Sequence, residues 1–189
     1  MWEVRQIFLQ KVATMKELIT LKNALLIGGC GRDVGKTSAG CTLVKELSLK
    51  TPVYVVKISS HFHVLTDSLN VLASEDKLMI AEETGALSGK DSSRYLAAGA
   101  SKVYYVQARE ESLPVLVKWL AEKFNADQPV IIESGGLGRY IRPGAAALIC
   151  NGNSDKKVDW PFNYQRITEN EPSEVRIPFK WNVNRWQKR

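Results

Sequence analysis

The stretch GGCGRDVGKTSAG, residues 28–40, carries the clearest chemical pattern in this chain of 189 residues. Its Gly-Lys-Thr ending is typical of a phosphate-binding loop, in which backbone N–H groups surround a phosphate and the next helix points its positive end there. Lys36 is expected to reach the β- and γ-phosphates, and the hydroxyl of Thr37 to bind Mg²⁺. Cys30 stands five residues before Gly35, where the usual pattern has glycine, but glycines flank it on both sides. The sequence therefore predicts a nucleotide site with an altered first position.

The loop and the first turn after it supply the candidate ligand-binding residues. Glycines let the backbone curl and approach a phosphate closely. We assign nucleotide binding to Gly31, Arg32, Asp33, Val34, Gly35, Lys36, Thr37 and Ser38. Two alternatives stay open, a glycine-rich turn that binds nothing and a site that binds nucleotide without hydrolysing it. The order of strand, glycine loop, GKT and helix favours a working site.

A second Mg²⁺ ligand is expected to be an acid at the end of a buried strand. Glu133 directly follows the apolar run 130–132 and precedes Ser134 and two glycines. An ionised acid in that place needs a partner, and a cation at the carboxyl edge of the sheet would provide it. The alternative is a strand that simply ends at a solvated glutamate. We therefore assign metal binding to Thr37 and Glu133.

Lys36, Lys57 and Asp91 are the candidate catalytic residues. Lys57 follows the second predicted strand, on the edge where doubly wound sheets bind ligands, and a lysine there can neutralise charge on a phosphoryl group. The alternative is a solvated lysine at a strand end. Asp91 precedes a predicted helix, so it either caps the helix or orients water or Mg²⁺.

Histidine and cysteine supply little further chemistry. His61 and His63 alternate by two, which predicts that both lie on one face of a strand, and no cysteine near them completes a metal site. The three cysteines, Cys30, Cys41 and Cys150, are odd in number and too scattered to predict a disulfide or zinc framework. A reduced cytoplasm fits this pattern best.

Alternating strands and helices must position these residues. Apolar runs predict strands at 24–27, 52–56, 103–106, 130–132 and 146–150, and periodic patterns predict helices from residue 36, over 93–98 and over 113–124. Runs that are apolar on both sides indicate a parallel sheet covered by helices on both faces. We therefore predict a three-layer α/β/α P-loop NTPase fold with a mainly parallel sheet, an N-terminal helix and a C-terminal extension.

The chain divides into three predicted parts. Residues 1–23 form an amphipathic helix, residues 24–155 the nucleotide-binding domain, and residues 156–189 a basic, aromatic extension. Within the domain, residues 58–90 are too long for a tight crossover and are predicted to be a flap, in which 62–65 pairs with 78–81 as a hairpin. Loops of such length in compact domains are usually functional.

Charge and hydropathy exclude several classes of protein. No apolar run approaches the roughly 20 residues that a membrane span needs, and charges throughout residues 1–23 do not fit a signal peptide. The net charge is +6, of which the extension supplies +4. Glutamates interrupt this basic field, which argues against nucleic acid as a ligand and favours packing or protein binding. Apolar faces on the predicted helix and extension favour a homodimer.

Several motifs together resemble the MobB-type proteins, named for molybdopterin-guanine dinucleotide biosynthesis protein B. They are the GKT loop, the segments VVKISSH and VIIESGG, and GKDSSRYLAAGA, which is the most specific. The resemblance runs from about residue 24 to residue 151. It implies a nucleotide-binding protein with weak NTPase activity that acts as an adaptor in molybdenum cofactor biosynthesis, in contact with another cofactor-maturation protein.

Carried over by position, the resemblance implies that residues 35–38 hold phosphates and that Glu133 helps to hold Mg²⁺. It also implies that Lys57, His61 and Asp91 lie near the nucleotide or a second ligand. GTP is the implied nucleotide, and ATP stays open because no Asn-Lys-x-Asp signature is present. The chain departs from the family where Ser134 intervenes before the glycines. Lys57 also resembles the lysine after the second strand in dethiobiotin synthetases, which gives an alternative, an ATP-dependent ligase or small-molecule kinase.

Overall fold

A computed structural model describes residues 18–124, 127–152, 154, 157–169 and 175–189. Within these residues the chain forms ten strands and three α-helices. The strands are β1 (Ile19–Gly29), β2 (Tyr54–Ser59), β3 (Leu69–Glu75), β4 (Leu78–Glu83), β5 (Lys102–Ala108), β6 (Val130–Glu133), β7 (Ile141–Asn151), β8 (Gln165–Glu169), β9 (Phe179–Asn182) and β10 (Arg185–Lys188). The helices are α1 (Lys36–Ser48), α2 (Asp91–Ala97) and α3 (Leu113–Lys123).

Eight strands form one mixed, mostly parallel sheet in the order β3-β4-β5-β2-β6-β1-β7-β8. The six strands from β5 to β8 in that order pair in parallel. At the other edge, β4 pairs antiparallel with β5, and β3 pairs antiparallel with β4. The prediction of a mainly parallel sheet is thus confirmed, and the helices fall between strands as expected.

Helices cover both faces of the sheet because successive strand residues alternate between two cores. On one face, Leu25 and Ile27 pack with α1 and α2. On the other face, Leu26 and Ile132 pack with α3. Each of these four side chains is completely buried. The central strands are therefore apolar on both sides, which explains their uninterrupted hydrophobic runs.

Local signals in the sequence set the ends of two helices. Pro114 lies in the first turn of α3, where a missing N–H costs no helical hydrogen bond. After α2 the chain passes through Gly99 with φ +100°, a conformation that favours glycine. Both features agree with the predicted helices over 93–98 and 113–124.

Two predicted elements differ from the structure. Residues 19–23, the end of the predicted N-terminal helix, form the start of β1, while residues 1–17 lie outside the described part of the chain. In the predicted flap, residues 62–65 form no strand; the hairpin instead joins β3 to β4 and extends the main sheet. The pattern of residues 62–65, three of them apolar, was misleading because Val64 is 98% exposed and does not pack as a strand residue would.

Most aromatic side chains of the C-terminal extension pack against the rest of the protein. β8 pairs with β7 at the sheet edge, and β9 and β10 form a separate hairpin. Trp160 and Trp186 are buried, and the Trp186 indole N–H donates to the carbonyl of Asn23 at 2.7 Å. The extension thus contributes to the cores on both faces of the sheet. Among the described helices, none is long and apolar enough to span a membrane.

Candidate functional site

The candidate site lies at the carboxyl edge of three adjacent parallel strands. β6 is hydrogen-bonded to β1 on one side and to β2 on the other. This register puts Glu133 beside Ile27 of β1 and beside Lys57 of β2. The glycine loop leaves β1 at the same edge and runs into α1. Parallel pairing therefore brings together residues that are far apart in the sequence. Thr37 and Glu133, for example, are separated by 96 positions.

The glycine loop closes around the amine of Lys36. Gly35, with φ 89°, ends the loop in the left-handed conformation just before α1. The Lys36 Nζ donates to the carbonyl of Gly31 at 2.7 Å. A Cβ on Gly29 would lie 2.7 Å from Lys36 Cδ, so a larger residue there would make the lysine side chain shift from this position over the loop. Glycine at position 29 thus leaves room for the folded-back Lys36 side chain next to Cys30.

Glu133 accepts hydrogen bonds from three different elements. Its Oε2 accepts from the hydroxyls of Thr37 and Tyr95, each at 2.9 Å, and its Oε1 lies 2.5 Å from Lys57 Nζ. The side chain of Glu133 is only 2% exposed. A carboxylate so deeply buried requires compensation of this kind, so α1, α2 and β2 all fix its position. The strand does not simply end at a solvated acid.

Lys57 links Glu133 to Asp91. Its Nζ lies 2.8 Å from Asp91 Oδ2, and the lysine side chain is 15% exposed, so it is not a solvated strand-end residue. Asp91 is the first residue of α2, after Lys90 at the N-cap, and no side-chain capping bond forms there. Its carboxylate turns to Lys57 instead of capping the helix. Arg94, one turn later, lies 3.6 Å from Asp91 and donates to Ser38 at 2.9 Å, which ties α2 to α1.

Burial and neighbouring charges act against each other at this site. Burial alone would lower the pKa of Lys57, but Glu133 and Asp91 outweigh it and raise that pKa. Burial would raise the pKa of Asp91, yet the charge of Lys57 and its hydrogen bond to the carboxylate lower it. For Lys36, burial lowers the pKa more than Glu133 raises it. Lys57 and Asp91 are therefore firmly charged at neutral pH.

The loop and the acidic network open into one cleft of about 850 Å³. Residues 32–38 line it, and the other lining residues include Lys57, Asp91, Glu133, Ser59, His61, His63 and Tyr105. Apart from Gly31, which holds the Lys36 amine from within the loop, every residue assigned to nucleotide, metal or catalysis lines this cleft. The sequence assignments thus converge in space.

The two histidines occupy an irregular segment and not a strand. Residues 60–66 have no regular secondary structure, which corrects the prediction for His61 and His63. Both are exposed in the cleft wall, and the His61 ring nitrogen lies 3.5 Å from the guanidinium of Arg32. Gln107 donates to the carbonyl of His63 at 3.0 Å and so holds the segment against β5.

The cysteine prediction was wrong for two of the three residues. Cys30 and Cys150 form a disulfide, with Cα atoms 4.9 Å apart, and Cys41 is free. The pairing of β1 with β7 brings them together across 120 residues of sequence. The argument for a reduced cytoplasm from unpaired cysteines therefore no longer holds.

Sequence reasoning missed two groups at the site. Tyr95 is completely buried, and burial beside Glu133 raises its pKa well above the usual value, so it stays a neutral donor. Its position four residues after Asp91 places both on one helix face, a signal that was present in the sequence. Ser134, the departure from the family pattern, accepts from the backbone N–H of Leu137 at 3.1 Å and stabilises the turn after β6.

The oxygen atoms at the site suit Mg²⁺ bound together with a phosphate. Thr37, Glu133 and Asp91 supply a hydroxyl and two carboxylates, and Mg²⁺ commonly takes one or two carboxylates along with phosphate oxygens and water. No group of three or more His, Cys, Asp or Glu side chains suited to a metal occurs within the described ranges. Comparison with protein-family models, curated proteins and solved structures found no match to this chain.

Proposed function

We propose that this chain binds a nucleoside triphosphate with Mg²⁺ at the glycine loop, with GTP as the first candidate and ATP as the second. The observation that carries the proposal is the contact of Thr37 with Glu133 beside the Lys36 loop. Thr37 is the second residue of the helix after the loop, and Glu133 ends the neighbouring parallel strand. This is the relation between the hydroxyl and acid that hold Mg²⁺ in P-loop NTPases.

The architecture supports the P-loop NTPase class for the same reason. A buried strand leads through the glycine loop into α1, and the loop opens at the carboxyl edge of a mostly parallel sheet. Open α/β sheets bind ligands at that edge, and helix N-termini favour phosphate. Helices on both faces of the sheet agree with a three-layer arrangement.

Each residue has a role that follows from its contacts. Lys36 leaves the Gly31 carbonyl to meet the β- and γ-phosphates, and Thr37 with Glu133 holds Mg²⁺. Lys57 supplies positive charge beside the transferred phosphoryl group, and Asp91 orients water or the metal shell. Because Lys57 and Asp91 are bound to each other at 2.8 Å, neither is free to act until a ligand or partner separates them. Slow intrinsic hydrolysis is the expected result.

The resemblance to MobB-type proteins supports the role of an adaptor in molybdopterin guanine dinucleotide biosynthesis. In that role the hydrolysis is weak and a cofactor-maturation protein stimulates it. Nucleoside triphosphates are cytoplasmic ligands, so we place the protein in the cytoplasm. A homodimer stays a prediction, which sedimentation would test, and a monomer would contradict it.

Thermal unfolding with GTP·Mg²⁺, with ATP·Mg²⁺ and without ligand tests the nucleotide site. Ligand at about 100 times its dissociation constant should add about 2.7 kcal/mol, or a few degrees in Tm. Lys36→Ala should abolish the shift, and Lys45→Ala, an exposed residue on the same helix, should retain it. No shift with either nucleotide in the wild-type protein would refute the proposal.

An ATP-dependent ligase or small-molecule kinase is the second candidate. The supporting observation is the extension of the cleft past Lys57 to Ser59, His61 and Tyr105, which leaves room for a second small molecule. An adaptor hydrolyses nucleotide slowly and responds to a protein partner, whereas a ligase or kinase turns over a small substrate alone. A Tm shift with ATP only, together with turnover of a small carboxylate or amine substrate, would favour the second candidate.

A further inference from the structure

The disulfide lies where the glycine loop begins. Cys30 is the first residue after β1, and Cys150 is the last but one of β7. We propose that these cysteines are a reversible dithiol–disulfide pair that controls the order of the glycine loop and, through it, the affinity for nucleotide. The part that concerns affinity rests on the proposed function. The part that concerns the order of the loop does not.

Only one of the two cysteines has any surface exposed to solvent. Cys150 is completely buried among the side chains on the α3 face of the sheet, whereas Cys30 is partly exposed at the loop. Thiol–disulfide exchange needs access of the attacking or attacked sulfur to its partner. Cys30 therefore exchanges first with a small thiol or disulfide, and Cys150 completes the reaction from inside.

The oxidation balances with a small disulfide such as glutathione disulfide as the oxidant. The Cys30 thiolate attacks one sulfur of that disulfide, which gives a mixed disulfide and one glutathione thiolate. The Cys150 thiolate then attacks Cys30 Sγ, forms the protein disulfide and releases the second glutathione. Two electrons pass from the protein to the oxidant, and the protons of the two cysteine thiols leave with the two glutathiones. A dithiol reductant reverses both steps.

The Cys30–Cys150 disulfide matters because it fixes one end of the glycine loop, whose other end is already fixed at α1. At the far end, Gly35 is the N-cap of α1, and its carbonyl accepts from the Ala39 N–H at 2.9 Å. At the near end, Cys30 has the disulfide and a backbone bond to the Ile149 carbonyl, also at 2.9 Å. Reduction removes the covalent link between the two strands. The loop residues between these ends then gain freedom.

Added freedom weakens binding because the ligand must order the loop again. Restricting the backbone of one residue changes an equilibrium constant by a factor of about five or more. Partial loosening of the loop should therefore weaken nucleotide binding by about three- to tenfold in the reduced protein. The oxidised protein is the tighter binder.

Cys41 offers a matched control within the same chain. It is a free cysteine on α1, and burial raises the pKa of its thiol to about 11, so it is a poor competitor in exchange. Cys41→Ser should keep the full response to oxidation. Cys30→Gly restores the usual loop residue and removes the pair, so its loop order and affinity should not depend on the redox state.

The test uses the full-length protein, oxidised with glutathione disulfide or reduced with dithiothreitol. Alkylation and mass spectrometry count the free thiols, hydrogen exchange follows the amides of residues 29–36, and calorimetry titrates GTP·Mg²⁺ and ATP·Mg²⁺. We expect one free thiol after oxidation and three after reduction, since two of the three cysteines are paired. Exchange at the loop should be faster, and binding weaker, in the reduced protein.

The outcomes separate this inference from the nucleotide proposal. The inference would be overturned by three free thiols under all conditions, or by hydrogen exchange of the loop amides that is the same in both redox states. Equal affinities within twofold, or tighter binding after reduction, would overturn the link to nucleotide affinity. If hydrogen exchange of the loop amides responds to oxidation but neither nucleotide binds in either redox state, the nucleotide site is refuted and the control of loop order still stands. The wild-type comparison needs no variant to fold.

Discussion

Replacing Lys57 with methionine should destabilise the folded protein by about 3 kcal/mol, because it leaves a buried carboxylate without its cation. Lys57 Nζ lies 2.5 Å from Glu133 and 2.8 Å from Asp91, and the side chain of Glu133 is 2% exposed. Breaking a buried pair on one side typically costs about 3–5 kcal/mol. Glu133 keeps the hydroxyls of Thr37 and Tyr95 as donors, which puts the expected cost at the lower end.

Urea unfolding at pH 7, followed by far-UV circular dichroism, measures this cost. Lys57→Met, Glu133→Gln and the double variant form a double-mutant cycle. Removing both charges should cost less than the sum of the single changes by about 1–3 kcal/mol, because the second change no longer breaks a pair. Lys77→Met is the matched control. Lys77 pairs with Glu111 at 3.0 Å, but both side chains are more than half exposed, so the urea midpoint should not move.

Two results would refute the reasoning. Single variants whose costs add without coupling would mean that Lys57 and Glu133 do not stabilise each other. A midpoint for Lys57→Met equal to that of the Lys77→Met control would mean that the pair is solvated in solution. The second result would also remove the argument that hydrolysis is slow because Lys57 and Asp91 hold each other.

Four further measurements test separate contacts. Tyr95→Phe removes one donor to the buried carboxylate and should cost about 1–2 kcal/mol in urea unfolding; no change would mean that this bond contributes nothing. Gly40→Ala would force a methyl group against the Tyr95 hydroxyl and should cost about 1–3 kcal/mol by overpacking, with a neutral result showing that the helices separate easily. The pKa of Asp91 is lowered in the folded protein, so the ionised Asp91 stabilises the fold above the ordinary value of 3.8, and this contribution is lost as pH falls below it. Asp91→Asn should therefore reduce the loss of unfolding free energy between neutral and acid pH, and an unchanged dependence on pH would contradict this. Reduction of Cys30–Cys150, which closes a span of 120 residues, should lower the free energy of unfolding by up to about 5 kcal/mol, and equal urea midpoints with and without dithiothreitol would refute it.

The sequence predicted the parts of the site that local patterns determine. The strand, glycine loop and helix around Lys36 follow one another directly, so hydrophobic runs and glycine positions are sufficient to predict them. Glu133 was found in the same way, since an acid after a buried strand is a local signal. Parallel pairing of β1, β2 and β6 then brought these residues into contact as expected.

The sequence could not predict contacts that depend on strand register or packing. Cys30 and Cys150 meet because Gly29 of β1 pairs with Ile149 of β7, and nothing in the spacing of the cysteines reports that register. The hairpin was predicted too early because three of the four residues 62–65 are apolar, although His63 and Val64 of that segment line the cleft and Val64 is exposed. Segments at a cleft depart from the rule that apolar runs are buried, and this is where the prediction from pattern failed.

The contacts of Lys57 explain how an acidic site can be stable before any ligand binds. Two carboxylates, Glu133 and Asp91, converge at the edge of the sheet, and one ammonium group lies between them at 2.5 and 2.8 Å. Without a cation there, two like charges would face each other in a partly buried place, which raises the free energy of the folded state. Lys57 therefore does in the ligand-free protein what Mg²⁺ would do in the proposed complex. A phosphate chain bound with Mg²⁺ would offer Lys57 new oxygen partners, and Glu133 and Asp91 would then hold the metal, so metal and nucleotide should bind together more readily than either does alone.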